Sequence, residues 1–506
     1  MAVEPRRTLR PALLCAATLW LAAASVGAAE LANAAAAAAA PTECRVSGIA
    51  HAVWCGSVER PLDPARPDGV KIAVHYVVVP AMARRKLADP VFLLAGGPGQ
   101  SAISLAPGVM PFYGRLNNRR DIVFVDQRGT GRSAPLMCDD PAREPLADQS
   151  DTERRFQRLA ECRAALQKLP YGDLRFFTTV IASQDLDAVR QALGAEQVNL
   201  VGGSYGTRAA LDYLRQFPAR VRRAVIDGVA PSDMALPASF STDGQAALDA
   251  LLASCEIDAA CRRDFPALRA DWARLLARLP EPVAVRHPLT GAVERFTLSR
   301  EMVLDAVRGP LYAPALAAGL PAAITEAANG RYEGLIGLST MLASRQGGRI
   351  AMGMHLSVVC AEDLPRVPAP TTPPAARDFG DDSARLYRRM CTGWPRGEVP
   401  AAFYKTAPSA SPVLVLSGGL DPVTPPRHGA RVAAALGAMA QHVVVPNAGH
   451  GVMALGCMRD AVYRFIDGGD DQHAPGIDAS CATGIPRPPA FVPLSLPSSA
   501  PAEAAR

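Results

Sequence analysis

The chain has 506 residues, of which 49% are hydrophobic and 20% are charged, and its formal net charge is +5 at pH 7. Basic residues are scattered among acidic ones instead of forming a stripe, so this mild positive balance does not indicate a nucleic-acid partner. A short basic cluster, Arg220, Arg222 and Arg223, is expected in a solvated loop between a helix and a strand. No glycine-rich loop carries the lysine of a phosphate-binding site, and we expect no cofactor.

The N-terminus has the organisation of a secretory signal peptide. Arginines near the start precede an apolar run at residues 12–26, and small residues follow it. This pattern predicts cleavage after Ala28 or Ala29, and hence a periplasmic or secreted protein. The run is short for a membrane span, so a retained anchor is the less favoured alternative, and no other segment is long and apolar enough to span a bilayer. The alanine-rich stretch that follows, up to residue 42, is predicted to be a linker.

Short apolar runs predict a mostly parallel sheet with helices on both faces. Continuous apolar segments are typical of strands that are buried on both sides. The predicted strands are residues 71–79, 91–94, 122–126, 198–201, 224–226, 413–416 and 442–445. Helical spacing predicts helices at residues 185–193, 207–217 and 426–436.

An insertion at residues 235–405 separates two core segments, 43–234 and 406–485. It has no comparable series of strands, and its apolar spacing is helical, so we expect a helical cap over the active site. The predicted cap helices are residues 246–252, 268–279, 302–307, 315–328 and 332–342, with Pro321 breaking or kinking the fourth. Residues 486–506 are rich in proline, alanine and serine and are predicted to be an extended or disordered tail.

Ser204 lies between a predicted strand and a predicted helix, in the pentapeptide Gly-Gly-Ser-Tyr-Gly at residues 202–206. A strand, G-x-S-x-G and a helix form a nucleophile elbow, in which the serine occupies a strained turn. The flanking glycines are needed where the two backbones pass too closely for a Cβ atom. The alternative, a glycine-rich turn with an idle serine, is less favoured because it leaves the flanking strand and helix unexplained.

Two later loops supply partners for this serine. Asp421 follows the strand at residues 413–416, and His450 follows the last predicted strand. Alone, Asp421 could cap a turn or helix and His450 could be a packed loop histidine. The order Ser204, Asp421, His450, each after a strand, is that of the α/β hydrolases. Since a serine hydroxyl needs a histidine to take its proton and a carboxylate to orient that histidine, the three residues are predicted to form a catalytic triad.

The loop after the strand at residues 91–94 predicts an oxyanion hole. In α/β hydrolases a loop at this place donates one backbone N–H, and the residue after the nucleophile donates the other. The second donor would therefore be Tyr205. Gly97 is the preferred first donor, with Gly96 or Gly99 as alternatives, because Pro98 has no N–H. A plain tight turn is the competing interpretation.

Three motifs together resemble the prolyl aminopeptidase and secreted tripeptidyl aminopeptidase group of α/β hydrolases. They are Gly-Gly-Pro-Gly at residues 96–99, Asp-Gln-Arg-Gly-Thr-Gly-Arg-Ser at 126–133 and Gly-Gly-Ser-Tyr-Gly-Thr at 202–207. The resemblance covers most of the chain, and residues 412–481 resemble the C-terminal region of the tripeptidyl type. Ala95 stands where prolyl aminopeptidases usually carry histidine, which favours the tripeptidyl branch. We derive no catalytic role for the second motif and expect Asp126 and Arg128 to brace loops near the site.

Ten of the eleven cysteines follow the predicted signal peptide, an even number that indicates disulfides in an exported chain. Sequence alone does not fix their pairing. Proximity along the chain suggests Cys44 with Cys55, Cys138 with Cys162, Cys255 with Cys261, Cys360 with Cys391 and Cys457 with Cys481. The last two pairs also resemble the pattern of the secreted family. No C-x-x-C pair or Cys/His cluster has the spacing of a zinc site, so we expect no metal.

The combined prediction is an exported, cofactor-independent serine hydrolase that cleaves peptides from a free N-terminus. One alternative is a carboxylesterase that acts on small esters or lipids. A second is a binding protein on a hydrolase scaffold, which an intact triad and oxyanion loop disfavour. The oligomeric state stays open.

A substrate with a free N-terminus requires a partner for its ammonium group. In a dry pocket that partner must be a carboxylate, because desolvation of the cation otherwise goes uncompensated. In the family that the chain resembles, acidic cap residues bind the substrate amine. Glu362 and Asp363 are the candidates here, next to Cys360. The alternative is a solvated acidic pair that caps a turn.

Overall fold

The computed structural model describes Met1 and residues 40–139, 144–345, 349–369, 377–473 and 476–493. Apart from Met1, the predicted signal peptide lies outside the described residues, as do most of the linker and the tail beyond residue 493. Among the helices of the described ranges, none combines the length and the apolar character that a membrane crossing needs.

A nine-stranded sheet forms the centre of the molecule, in the order β1-β2-β3-β5-β4-β6-β7-β10-β11. β1 to β3 pair antiparallel at one edge, and every pairing from β5 to β11 is parallel. The strands of this sheet are β1 (Thr42–Cys44), β2 (Val53–Pro61), β3 (Lys71–Val79), β4 (Val91–Leu94), β5 (Ile122–Val125), β6 (Val198–Gly203), β7 (Val221–Asp227), β10 (Val413–Gly418) and β11 (Ala440–Val445). The predicted α/β fold with its mostly parallel sheet is confirmed.

Helices cover both faces of the sheet and build the cap. Those of the core are α1 (Ala102–Asn117), α2 (Leu146–Ser150), α3 (Thr152–Leu166), α4 (Thr179–Ala192), α5 (Tyr205–Gln216), α15 (Pro426–Leu436) and α16 (Met458–Asp467). Those between β7 and β10 are α6 (Leu236–Ile257), α7 (Ala259–Asp264), α8 (Leu268–Arg278), α9 (Arg300–Leu311), α10 (Pro314–Ala317), α11 (Leu320–Ala328), α12 (Glu333–Arg345), α13 (Met352–Val358) and α14 (Asp382–Met390). A π-helical turn, Val359–Asp363, continues α13.

The insertion between β7 and β10 has a hydrophobic core of its own, separate from the two clusters that pack on the sheet. Besides its helices it contains an antiparallel hairpin of β8 (Glu281–Arg286) and β9 (Val293–Leu298), which the sequence did not predict. Pro321 acts as expected, because the predicted fourth helix is divided into α10 and α11, and the proline lies in the first turn of α11. Beyond β11, the N–H of Phe491 donates to the Ala318 carbonyl at 2.8 Å, so part of the predicted tail contacts the cap.

The expected solvated arginine loop before β7 is wrong for two of its three residues. Arg222 and Arg223 lie within β7, and Arg223 is buried. Their guanidinium groups pair with Asp471, and Arg222 also pairs with Asp89 at 3.0 Å. These ion pairs allow charged side chains in a central strand, because each buried cation has a nearby carboxylate.

The described part of the chain contains five disulfides: Cys44–Cys55, Cys138–Cys162, Cys255–Cys261, Cys360–Cys391 and Cys457–Cys481. They are the pairs that proximity along the chain suggested. Cys360–Cys391 joins the π-helical turn after α13 to the end of α14, so it fixes the cap segment that carries Glu362 and Asp363.

Candidate active site

Ser204 occupies the sharp turn between β6 and α5, with φ 56° and ψ −125°. Such a left-handed backbone conformation is strained for a residue with a side chain and is typical of a nucleophile elbow. A Cβ atom on Gly202 would lie 2.4 Å from the Gly206 carbonyl oxygen, and one on Gly206 would lie 2.2 Å from that of Leu94. The two flanking glycines are therefore required by the close approach of strand and helix.

The candidate acid and base lie at the ends of neighbouring strands. Asp421 follows β10, His450 follows β11, and the His450 Nδ1 atom is 2.8 Å from Asp421 Oδ2. The Asp421 carboxylate also accepts hydrogen bonds from the Thr424 hydroxyl at 2.7 Å and from the backbone N–H groups of Val423 and Thr424. Because Asp421 holds Nδ1, the Nε2 atom is the ring nitrogen that can exchange a proton with a nucleophile.

Burial and charge shift the pKa values of this pair in opposite directions. Burial alone lowers the pKa of His450, but the charge and hydrogen bond of Asp421, with the charge of Asp227, outweigh it and raise the pKa overall. Burial favours the neutral form of Asp421, yet its pKa is lowered because His450 and Thr424 stabilise the carboxylate. Asp421 is therefore kept ionised beside an imidazole that accepts a proton readily.

The loop that carries His450 packs against the nucleophile strand. A Cβ atom on Gly203 would be 3.8 Å from the Met453 methyl group, and one on Gly228, just after β7, would be 3.1 Å from His450 Cε1. From the cap side, the Tyr312 carbonyl accepts from the His450 N–H at 2.8 Å, and the Tyr312 ring contacts the imidazole edge-on. The structure thus brings the three candidate triad loops to the same end of the sheet.

The predicted oxyanion loop lies directly beside Ser204. A Cβ atom on Gly96 would be 3.2 Å from Ser204 Cβ, and Gly97 has φ 113°, which favours glycine. Tyr205 is the first residue of α5, so its N–H belongs to the positive end of the helix dipole. The loop of Gly97 thus lies beside Ser204 and Tyr205 follows Ser204 in the chain, while their role as oxyanion donors stays a prediction.

The cap holds this loop from the other side. The Ala351 N–H donates to the Gly99 carbonyl at 2.9 Å, and His355 Nδ1 donates to the Pro98 carbonyl at 3.1 Å. His355 Nε2 in turn accepts from the Tyr387 hydroxyl at 2.8 Å. The chain of contacts from α14 through α13 to the loop was not indicated by any sequence motif.

Asp126 and Arg128 have the bracing role that the sequence predicted. The Asp126 carboxylate accepts from the Ser101 hydroxyl at 2.7 Å and from the N–H of Ile103, at the start of α1. Arg128 forms a two-point ion pair with Asp185 at 2.6 and 2.8 Å. Each buried charge therefore connects the loop after β5 to a neighbouring helix.

Glu362 and Asp363 are fully buried and pair with Arg208 of α5, which is also fully buried. The Glu362 carboxylate accepts from the N–H of Thr179 at 2.7 Å and from its hydroxyl at 2.9 Å. The Thr179 hydroxyl is in turn 2.7 Å from the Tyr205 hydroxyl. The pair lies directly behind the candidate oxyanion residue, and the interpretation as a solvated turn cap is wrong. Its amine-binding role stays a prediction.

Burial is the main cause of an unusually high pKa of Glu362 in this cluster. It raises the pKa of Glu362 to about 7, although the Arg208 charge and the Thr179 hydrogen bonds act in the opposite direction. When Glu362 is ionised, two carboxylates face one guanidinium, so the cluster carries one surplus negative charge. Within the described residues, no group of three or more His, Cys, Asp or Glu side chains is arranged to hold a metal ion.

The end of α9 in the cap lies beside the candidate base, because its C-cap residue Tyr312 contacts the His450 ring. Arg308 and Asp305 form an ion pair at 2.9 Å, and the guanidinium carbon of Arg308 is 5.1 Å from the Phe240 ring centroid. Burial raises the pKa of Tyr312 to about 12, with the charge of Arg308 lowering it and those of Asp421 and Asp305 raising it. Charged cap residues thus act on the tyrosine that contacts His450, and no motif in the sequence indicated them.

Two family models match the chain. The model described as alpha/beta hydrolase fold matches residues 89–252, which include β4, the elbow and the start of the cap. The model described as TAP-like protein matches residues 376–481, which include Asp421, His450 and three of the paired cysteines, Cys391, Cys457 and Cys481.

Curated relatives cover most of the chain. The serine protease Hip1 of Mycobacterium tuberculosis is 28% identical over 437 residues, which are 78% of this chain and 81% of that protein. A tripeptidyl aminopeptidase of Streptomyces lividans is 34% identical over 190 residues, 35% of either chain. A carboxylesterase B of Mycobacterium tuberculosis is 28% identical over 460 residues, 82% of this chain and 84% of that protein.

Proposed function

We propose that the chain, which has the α/β-hydrolase fold and matches the TAP-like model in its C-terminal region, is an exported serine peptidase that releases short peptides from a free N-terminus. The observation that carries the proposal is the hydrogen bond between His450 and Asp421, at the same end of the sheet as the strained Ser204. A strained serine and an oriented histidine are the parts that acyl transfer needs.

In the proposed mechanism, Ser204 Oγ attacks the carbonyl carbon of the scissile peptide bond while His450 Nε2 takes its proton. Asp421 keeps the imidazole in the required tautomer and stabilises the imidazolium that forms. The N–H groups of Gly97 and Tyr205 donate to the oxyanion of the tetrahedral intermediate. His450 then gives its proton to the leaving amine nitrogen, which breaks the C–N bond and leaves Ser204 acylated.

Water completes the cycle by hydrolysis of the acyl-enzyme. His450 Nε2 takes a proton from the water as its oxygen attacks the ester carbon, and the second tetrahedral intermediate is held by the same two N–H groups. The proton returns to Ser204 Oγ as the released peptide departs with its new carboxylate. No redox change occurs: His450 carries one proton in each half of the cycle, and the remaining hydrogen of the water passes to solvent when the new carboxyl group ionises.

The relatives support a peptide substrate. A serine protease matches four fifths of its own length to this chain, and a tripeptidyl aminopeptidase shares a higher identity over a shorter segment. Recognition of the free N-terminus is assigned to the surplus negative charge of the cluster of Glu362, Asp363 and Arg208. Five disulfides and the likeness to Hip1 support export, to the periplasm or the medium.

An esterase is the second candidate, favoured by the likeness to carboxylesterase B over most of the chain. The same triad and oxyanion hole would hydrolyse an ester, since the leaving alkoxide also takes its proton from His450. Purified protein should therefore be assayed on aminoacyl, tripeptidyl and acetyl-blocked tripeptidyl reporters beside short-chain esters. A peptidase of this kind should have its largest kcat/KM on free-amine peptide reporters. A larger kcat/KM on esters than on every free-amine reporter would overturn the peptidase proposal.

A further inference from the structure

Asp227 is a buried carboxylate next to the candidate triad that no motif in the sequence singles out. It is the last residue of β7, the strand adjacent to the nucleophile strand β6, and it is only 1% exposed. Its backbone carbonyl accepts from the Ser204 N–H at 2.9 Å. The residue therefore supports the strained turn directly.

The side chain of Asp227 reaches the other half of the site. Its Oδ2 atom accepts from the N–H groups of Val452 and Met453, each at 2.7 Å. These two residues follow His450 in the same loop. Asp227 thus binds the nucleophile turn through its main chain and the histidine loop through its carboxylate. It therefore fixes the position of the turn relative to the loop.

The second oxygen of the Asp227 carboxylate takes no part in these hydrogen bonds. Within the described part of the chain, Asp227 Oδ1 has no hydrogen-bond partner although it is buried. A buried carboxylate oxygen without a hydrogen bond costs stability, and such a cost is expected to persist only where the charge has a function. The ionisable groups that face it are His450 and Asp421 on the two triad loops and Tyr113 on α1.

We propose that Asp227 is a positioning residue of the triad: it holds Ser204 and the His450 loop in register, and its negative charge stabilises the imidazolium form of His450. The proposal rests on the proposed function, because it concerns the same serine and histidine. Asp227 touches neither substrate nor reacting atoms and acts through His450. Burial raises the pKa of Asp227 to about 6, so above that pH its charge adds to that of Asp421.

The charge and the hydrogen bonds of Asp227 can be separated by two substitutions. Asp227→Asn keeps an oxygen that can accept from Val452 and Met453 but removes the negative charge. Asp227→Ala removes both. A matched control is Asp187→Asn, which neutralises another buried carboxylate, held by Arg190 and Tyr213 and outside the proposed machinery.

The rate of Ser204 labelling by a fluorophosphonate should be measured against pH, since its acid limb reports the ionisation of His450 without a known substrate. Removal of a negative charge lowers the pKa of His450, so Asp227→Asn should move the acid limb to lower pH by about half a unit or more. Asp187→Asn should leave the limb in place. Asp227→Ala should in addition slow labelling at the optimum by about tenfold or more.

The outcomes distinguish this inference from the proposed function. If Asp227→Asn is labelled at Ser204 and its acid limb lies at the same pH as that of the wild type, the role of Asp227 is wrong but the triad is not. Wild-type protein that is not labelled at Ser204 would overturn both. If Asp227→Ala does not fold, Asp227→Asn still decides, because a residue with only a structural role would lower the melting temperature without moving the limb.

Discussion

Arg208 and Asp363 form a buried two-point ion pair, with Nη1 3.0 Å from Oδ2 and Nη2 2.9 Å from Oδ1. Arg208 lies on α5, directly after the nucleophile, and Asp363 ends the π-helical turn of the cap. Glu362 contacts the same guanidinium at 3.4 Å, a longer and less well-aligned approach. The two neighbouring acids therefore have different parts in the cluster, and they can be tested separately.

Glu362→Gln should weaken recognition of a free N-terminus. The substitution removes the surplus negative charge but leaves the pair of Arg208 and Asp363 intact. We expect KM for free-amine peptides to rise about tenfold, with little change for an acetyl-blocked peptide or an ester. Steady-state kinetics on the matched substrates measure this. An equal loss on all substrates would assign Glu362 a structural role, and no loss on any would remove it from the site.

Asp363→Asn should instead reduce stability. It leaves the buried Arg208 without its closest carboxylate, and such a broken pair costs about 3 kcal/mol or more of unfolding free energy. Asp382→Asn is the control, since Asp382 pairs with Arg385 at the surface, with 31% and 63% of the two side chains exposed, and should change stability by about 0.5 kcal/mol or less. Chemical denaturation of both variants compares them, and equal effects would contradict the burial argument.

The stability of the wild type should fall as pH rises from about 5 to 8. The folded-state pKa of Glu362, about 7, lies above the ordinary value of 4.5 for a glutamate, so the folded state binds this proton more tightly than the unfolded state does. The contribution is complete below the unfolded pKa and is lost as pH passes through the folded one, about 3 kcal/mol in total. Glu362→Gln should flatten this part of the profile of melting temperature against pH. An identical slope in both proteins would contradict the raised pKa.

Ser204→Ala should abolish labelling by a fluorophosphonate and lower kcat by about 10⁴-fold or more. The reason is that the Ser204 hydroxyl lies in the strained turn beside the candidate oxyanion loop, so its removal takes away the candidate nucleophile. Mass spectrometry of the labelled wild type locates the modified residue. Labelling that persists unchanged in the variant would show that another residue is the nucleophile.

Non-reducing peptide mapping of exported protein should recover the five linked cysteine pairs and few or no free thiols. The pairing follows from the short separations along the chain, between 6 and 31 residues, together with the oxidising compartment. Alkylation of the folded protein without reductant provides the measurement. If most of these cysteines were modified, the export prediction would have to be abandoned.

Much of the core could be predicted because its strands are continuous apolar runs. The bounds of β3 and β4 agree with the prediction at both ends, whereas β7 begins three residues earlier than predicted, at Val221 instead of Ala224. The prediction missed the earlier start because Arg222 and Arg223 interrupt the apolar run. Their burial depends on carboxylates far away in the chain. Local pattern carries no information on such partners.

The hairpin of β8 and β9 was missed for a related reason. Its strands alternate between buried and exposed residues, with only one face covered, and Pro282 lies within β8. A single short alternating run between helices gives a weak strand signal. In the site, the elbow and triad order were readable from motifs, whereas Asp227 and Arg208 were not, because their roles arise from contacts between distant segments.

The cap contacts described above also limit how this enzyme could be re-engineered. Ala351 supports the oxyanion loop through Gly99, and the Tyr312 carbonyl binds the His450 N–H, so two cap residues hold main-chain groups of the catalytic end. A cap grafted from a relative to change specificity would have to reproduce both hydrogen bonds. The cap is therefore not an interchangeable module. Its specificity should be changed by substituting individual side chains instead of exchanging the whole cap.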